Sequence, residues 1–310
     1  MTKKEIKDYI QAIIKHGITL SEYGNFFVST IKDYAKEAEK KCNDLLLEAE
    51  RSVTKKQKNE LEKKIKSVLS DFEKKVKLFI EEQLEEIDEA EDKFLEEVVE
   101  KALGINLIVP ATILGILALV PIASAGTPEN FGKSLSDKLG NVYNSILNRV
   151  YVFGDEYEDV LGDFESQFNT FHRGLDADAE TMGYSLADEY DRIVFTKNDK
   201  KIKGYIWSAI LDTSTCIACG SLDGTKYENI SDVPFYPVHD HCRCRLIPYN
   251  EDIEDLIPEN YQEWFESQNK ETKRQILGKT RFELYEQGMK IKNFVNNNKI
   301  TPLKDLKLNK

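Results

Sequence analysis

The sequence predicts an α+β fold, mainly α: a long N-terminal helical hairpin or coiled-coil arm, followed by a helical domain carrying a small stitched β-sheet. Three observations predict it. Apolar residues recur at steps of three and four through the N-terminal third, and a second series of the same period runs between Phe131 and Tyr190. An aromatic and β-branched run, Tyr205 to Leu211, then leads into a cluster of Cys and His residues. In chain order this gives a helical arm over 1–102, an apolar segment over 103–130 and a third part over 131–310, with the Cys/His cluster inside 205–250.

The arm opens with Ile6, Ile10 and Ile13 or Ile14 at helical spacing, and His16-Gly17 reads as the end of that first helix. His16 is then a surface residue whose charge suits a helix C-terminus. Charges break up the first residues, so they do not form a secretory signal. From about Asn25 to Val53 the period returns, and from Leu61 through Ile65, Phe72, Val76, Phe79, Leu84 and Ile87 to Val98 it continues without an internal Gly or Pro. At about 1.5 Å per residue the second helix reaches on the order of 60 Å. Two such stripes bury each other in an antiparallel hairpin.

Charge is segregated along the second helix. Lys55, Lys56, Lys58, Lys63, Lys64 and Lys66 come first, and Glu81, Glu82, Glu85, Glu86, Glu89, Glu96, Glu97 and Glu100 come last. Acids late in a helix oppose its macrodipole, and an oppositely directed helix of a second copy or another partner would offset this. The alternative is a solvated face on a monomeric hairpin. Cys42 reads as a packing residue.

Residues 103–125, LGINLIVPATILGILALVPIASA, carry no charge and are long enough to cross a bilayer. Pro110 and Pro121 interrupt the run, which favours burial or an oligomer contact over insertion into a host membrane. After it, Leu135, Leu139, Val142, Tyr143, Ile146, Leu147 and Val150 mark a helix with Ser134 or Ser136 as its N-cap, ended by Gly154-Asp155. Val160, Phe164, Phe168 and Phe171 mark the next. Leu175, Ala179, Met182, Leu186 and Tyr190 mark a third.

The stretch DTSTCIACGSLDGTKYENISDVPFYPVHDHCRC carries the chemistry. Cys216-x2-Cys219 and His239-x2-Cys242-x-Cys244 are two short chelating pairs separated by a turn-rich loop, a spacing that gathers soft ligands around one tetrahedral Zn²⁺. Five donors compete for four positions. Cys216, Cys219, His239 and Cys242 form the preferred set, because each pair then has the two-residue gap of one knuckle; Cys244 could replace His239 or Cys242. The alternative is two local disulfides, or reduced buried thiols. His241 reads as a solvated neighbour. Asp223-Gly224 marks a tight turn before Thr225-Lys226-Tyr227, and Pro234, Pro237 and Pro248 keep the next segment from being a central strand. So little apolar material flanks the cluster that a structural zinc is expected to stitch the sheet. Beyond it, Tyr261 to Phe265 and Lys273 to Glu286 read as short helices, with a break at Leu277-Gly278-Lys279. Asn296-Asn297-Asn298 reads as a turn, and Thr301-Pro302 starts a last short element.

The sequence offers little catalytic constellation. There is no His-x-Glu before the cysteines, no His-Glu-x-x-His helix, no Gly-x-x-x-x-Gly-Lys loop and no Gly-x-Ser-x-Gly elbow. A net charge of -12 argues against a broad nucleic-acid surface. The lysines at 197, 200, 201 and 203 and those at 304, 307 and 310 read first as solvated faces or tails, with local DNA contact as the alternative.

Trp207, Asp212-x3-Cys216-x2-Cys219-x2-Leu222-Asp223-Gly224 and Pro237-x-His239-x2-Cys242-Arg243-Cys244 together resemble the signature of the phage Mu protein F-like minor head family, also called the head-morphogenesis family. The likeness extends upstream through Arg173, Thr181-Met182 and Tyr190. Downstream it takes in Trp264, Leu277-Gly278-Lys279-x-Arg281-Phe282-x2-Tyr285-x2-Gly288 and Thr301-x-Leu303-x2-Leu306, so that it covers about 131–310. Ala179-Glu180 before Thr181 departs from the family's order.

The resemblance implies a minor capsid protein of a tailed bacteriophage. Such a protein is associated with the portal and with capsid or scaffold proteins, acts in head assembly or in DNA packaging and ejection, and resides in the virion after assembly in the host cytoplasm. Two other classes stay open on the residues: a zinc-associated nuclease or toxin effector using His239, Asp240 or His241, and a membrane-active ejection protein acting through 103–125.

Overall fold

In the computed structural model, residues 1–49, 55–234, 238–239, 242–250 and 260–306 are described. Helix α1 spans Lys3–Leu47 and α2 spans Lys55–Phe94. A wide π turn, Leu95–Glu100, and the short α3, Lys101–Leu103, continue α2 until Gly104 turns left-handed at φ 66°. After α4 (Ile113–Leu117) come α5 (Pro128–Asn148), α6 (Tyr157–Asp163) and α7 (Glu165–Asn198). Then follow β1 (Gly204–Ser208), α8 (Ile217–Leu222), β2 (Lys226–Tyr227) and β3 (Arg245–Tyr249). The last elements are α9 (Tyr261–Ser267), α10 (Lys270–Glu286), β4 (Val295–Asn296) and β5 (Lys299–Ile300). The fold is α+β and mainly α, as the sequence predicts.

These elements form two compact units, each assembled from separated stretches rather than from consecutive blocks of sequence. One comprises Met1–Glu22, Glu89–Ile113 and Ala187–Lys310; the other comprises Tyr23–Asp88 and Leu114–Leu186.

The second unit is a helix bundle. Phe27, Ile31, Ala35, Ala38, Cys42 and Leu46 make the buried stripe of α1, and Leu61, Ile65, Leu69, Phe72, Val76 and Phe79 that of α2. Phe27 meets Phe79 edge-on with ring centroids 5.0 Å apart, while Glu37, later in α1, pairs with Lys75, earlier in α2, so the two helices run antiparallel. Helix α5 starts at Thr127-Pro128 and not at Ser134 or Ser136, because extended Thr127 hands on to a proline whose fixed φ suits a first helical turn. Ser136 then faces inward and its hydroxyl donates to the Leu69 carbonyl at 3.0 Å. The Tyr143 hydroxyl lies 3.0 Å from the Glu39 carbonyl and 2.8 Å from the Asn43 side chain, which share its single proton. Helix α7 closes on α1 where Gly183 meets Gly24: a Cβ on Gly183 would lie 2.9 Å from the Gly24 Cα. The two helices expected over Val160–Phe171 and Leu175–Tyr190 are instead the short α6 and the single long α7, and His172 is half-buried against Glu39 at 2.7 Å.

The first unit holds the sheet, ordered β2-β1-β3 and antiparallel throughout, with Tyr205 opposite Tyr227 and Pro248, and Trp207 opposite Leu246. The predicted strand stops at Ser208 rather than Leu211. Helix α1 does not end at His16-Gly17, because Gly17 serves a close approach: a Cβ there would come 3.0 Å from the Arg245 Cγ. His16 is not a solvated dipole partner either; it stacks on Phe94 at 3.7 Å and bonds Glu91 at 2.8 Å. Gly278 breaks α10 with φ 69°, and Asn297 and Asn298 both adopt left-handed φ in the β4–β5 turn, as their residue types suggest.

The apolar segment is broken by Gly104, extended backbone and the short α4. Leu103, Ile113, Leu117 and Ile122 are buried, whereas Ile108, Ile116 and Leu119 are exposed. Among the described residues, no helix is long and apolar enough to cross a membrane.

Candidate metal centre

The site is built at the end of β1. After Ser208 the chain turns through Asp212, whose side chain accepts from the amides of Ser214 and Thr215, both at 2.9 Å. This turn delivers Cys216 in extended conformation as the N-cap of α8, where its sulfur accepts the Cys219 amide at 3.4 Å. One helical turn therefore puts two sulfurs on one side. The second pair arrives from the chain leading into β3, where the Cys242 amide donates to the His239 carbonyl at 3.2 Å.

All five sequence-predicted donors come together. His239 Nε2 lies 3.0 Å from Cys216 Sγ and 3.1 Å from Cys219 Sγ, and Cys219 Sγ lies 3.8 Å from Cys242 Sγ. They form two triads, Cys216–Cys219–His239 and Cys219–Cys242–Cys244, each with its donor atoms within 4.8 Å of one another. Cys219 is common to both. All five cysteines of the chain, Cys42 included, are free thiols, so the disulfide alternative is not adopted. Cys219, Cys242 and Cys244 are buried, and Cys216 is half-buried. Asp240 and His241 lie outside the described residues.

Crowding of thiols splits their acidities. Hydrogen bonding to Cys219 pulls the Cys216 thiol down to about 4, helped by His239 and opposed by burial. The same bond, with those to Cys242 and Cys244, pushes Cys219 up. Cys219 and Cys244 hold Cys242 well below the usual thiol range. Cys219 pulls Cys244 down, but Cys242 and burial outweigh it and leave that thiol well above the range.

Two arginines in the Cys242-Arg243-Cys244-Arg245 run anchor the second pair, and the partners of the second are invisible to motif spacing. Arg243 reaches Asp212. Burial pushes the Asp212 carboxyl up, but Arg243, the Ser214 amide and Thr215 outweigh it and leave it below the usual carboxylate range. Arg245 is buried among carboxylates, with Nη1 2.8 Å from Asp188 and Nη2 2.6 Å from Asp191 and 3.4 Å from Glu91. Burial raises Asp188 and Asp191 well above the carboxylate range despite this guanidinium. A cluster of acids at i and i+3 on an otherwise buried helix face, Asp188 and Asp191, is the sequence signal that could have revealed it.

The C-terminal lobe is seated on α8. Ile217 joins Tyr261, Phe265, Leu277, Phe282, Met289, Ile291 and Phe294 in one apolar cluster. The Tyr261 amide donates to Asp223 at 2.8 Å and its hydroxyl to the Thr215 carbonyl at 3.2 Å. The arrangement can hold a metal ion at a junction between β1, α8 and β3. Compared with protein-family models, curated proteins and solved structures, the chain matches none.

Proposed function

We propose that the chain is a minor structural protein of a tailed-phage head, acting in head assembly or in DNA packaging and ejection, in which the Cys/His centre holds a structural Zn²⁺. One observation supports this above the others: the Cys and His residues of the two short motifs that carry the resemblance to the Mu F-like head-morphogenesis proteins come together in two triads that share Cys219. The donor set fits zinc in kind, being thiolates and an imidazole. The Cys219–Cys242 pair also fits in spacing, since two thiolates bonded to tetrahedral zinc at about 2.3 Å sit about 3.8 Å apart, the separation of these two sulfurs.

Cys219 and Cys242 with two of Cys216, His239 and Cys244 would hold the ion. Bound there, zinc supplies a crosslink between α8 and the approach to β3. The part-closed, sulfur-rich surroundings suit a clamp better than a reaction centre, which keeps a ligand position for water. Portal and capsid or scaffold proteins are the partners this reading names.

The test is composition. Particles purified on a density gradient from a strain carrying the sequence, analysed by mass spectrometry, contain this chain in the head fraction, and the purified chain carries one zinc. Its absence from every particle fraction, with the chain present in the lysate, overturns the assignment.

A further inference from the structure

The geometry points to an oxidation-sensitive metal centre, in which a hydroperoxide joins Cys216 to Cys219 and thereby expels the ion. This rests on reading the cluster as a metal site. Three features carry it. Cys216 is half-buried, whereas Cys219, Cys242 and Cys244 are buried, so among the described residues it is the donor cysteine nearest to solvent. Cys219 lies one helical turn on, its sulfur within 4.8 Å of that of Cys216, and residues spaced i and i+3 at a helix start fall within the reach of a disulfide. Cys219 is also the donor shared by both triads, so a single bond to it removes one donor from Cys219–Cys242–Cys244 and two from Cys216–Cys219–His239. His239, Cys242 and Cys244 are what remains, fewer than the four ligands of a structural zinc.

The chemistry balances with the peroxide as sole oxidant. The Cys216 thiolate attacks one peroxide oxygen; the S–O bond forms, the O–O bond breaks and hydroxide leaves. The Cys219 thiolate then attacks the Cys216 sulfur; the S–S bond forms, the S–O bond breaks and a second hydroxide leaves. Two thiolates lose two electrons, and hydrogen peroxide leaves as two hydroxides that take up two protons from solvent and become two waters.

The experiment treats the zinc-loaded full chain with hydrogen peroxide, follows zinc release with a chromogenic chelator and maps disulfides by peptide mass spectrometry. Zinc release in step with a Cys216–Cys219 disulfide, reversed by dithiothreitol and added zinc, is the expected result. In Cys216→Ser, release slows roughly tenfold or more, since the attacking thiolate is gone. Serine is a good N-cap, so this variant keeps α8. Cys42→Ser, in α1 and outside the cluster, behaves as the parent. Release at the parental rate in Cys216→Ser, a different first disulfide, or retention of zinc after the Cys216–Cys219 bond has formed overturns the proposal. A chain that takes up no zinc refutes the metal reading itself, and peptide mapping then still shows whether Cys216 and Cys219 pair first.

Discussion

Arg243 grips Asp212 with two charge-assisted hydrogen bonds, Nη2 to Oδ1 at 2.8 Å and Nη1 to Oδ2 at 2.9 Å. Asp212 shapes the turn that presents Cys216, and Arg243 stands between Cys242 and Cys244, so this ion pair ties together the two segments that carry the candidate donors. Neutralising it in Asp212→Asn leaves the turn its amide acceptor but loses the bidentate pair. Groups that orient ligands in this way typically contribute tenfold to a hundredfold to metal affinity. A loss of about that size is expected in competition with a zinc chelator, and an unchanged affinity would show that the two segments are held by the sulfurs alone.

Arg245 answers three buried carboxylates, Glu91, Asp188 and Asp191. Removing one partner of a buried ionic group leaves uncompensated charge, which typically costs about 3–5 kcal/mol. Arg245→Met is therefore expected to lose stability in urea unfolding at neutral pH, by less than the ~3–5 kcal/mol of a charge left bare, because burial already raises Asp188 and Asp191 well above the carboxylate range. Arg245→Lys keeps the charge but not the planar fork, and falls between the two. A loss below about 1 kcal/mol in the methionine variant would mean that the acids are neutralised some other way.

The part of the fold that the sequence announced is the part governed by period and by residue chemistry. The stripes from Leu61 to Ile87, the Gly278 break and the Asn297-Asn298 turn follow from local preferences, and the Cys216, Cys219, His239, Cys242 and Cys244 cluster from ligand spacing. Gly17 misleads because a glycine that admits a neighbour looks the same in sequence as one that ends a helix; only Arg245, more than two hundred residues on, tells them apart. The Arg245 knot was hidden for the same reason, since charged residues read as solvated faces until burial is known.

Glu189 makes stability depend on pH. Burial raises its carboxyl from the usual 4.5 to about 7, with Arg192 pulling the other way. An acid raised in the folded state holds its proton more tightly there than in the unfolded chain. Its stabilising contribution is complete below about pH 4.5 and is lost as pH rises through about 7. Glu189→Gln, which cannot ionise, should match the parent near pH 4 and exceed it by roughly 3 kcal/mol near pH 8. Urea unfolding of both chains across that range checks it; parallel curves would place Glu189 in water.

Two glycines of α7 should respond to alanine with opposite sign. Helix propensity alone favours alanine by about 0.5–1 kcal/mol at each. A methyl added at Gly174 would meet nothing within 4 Å, so Gly174→Ala should gain about that much. At Gly183 the new methyl would lie 2.9 Å from the Gly24 Cα and 3.0 Å from the Tyr23 carbonyl, backbone atoms that cannot swing aside. Overpacking of this kind costs about 1–3 kcal/mol, which outweighs the propensity term. Thermal unfolding that stabilises both variants would disprove the close crossing of α1 and α7.

On the structural-metal reading, removing the ion should loosen the C-terminal lobe, because the lobe is supported by the helix that carries Cys219 and is capped by Cys216. Cys216 caps α8, Ile217 enters the lobe's apolar cluster, and the Tyr261 hydroxyl donates to the Thr215 carbonyl next to that cap. With only six residues, α8 has too few internal hydrogen bonds to persist by itself. Stripping the ion from the full chain with a chelator is therefore expected to speed proteolysis within 260–306, while α5, packed on Leu69 and Glu39 in the other unit, stays protected. Gly220→Ala, which drives a methyl into the Tyr261 ring, should reproduce the same cleavage pattern with zinc still bound. Chelation that empties the site but leaves 260–306 as resistant as before would show that the lobe stands on its own apolar cluster and takes nothing from the metal.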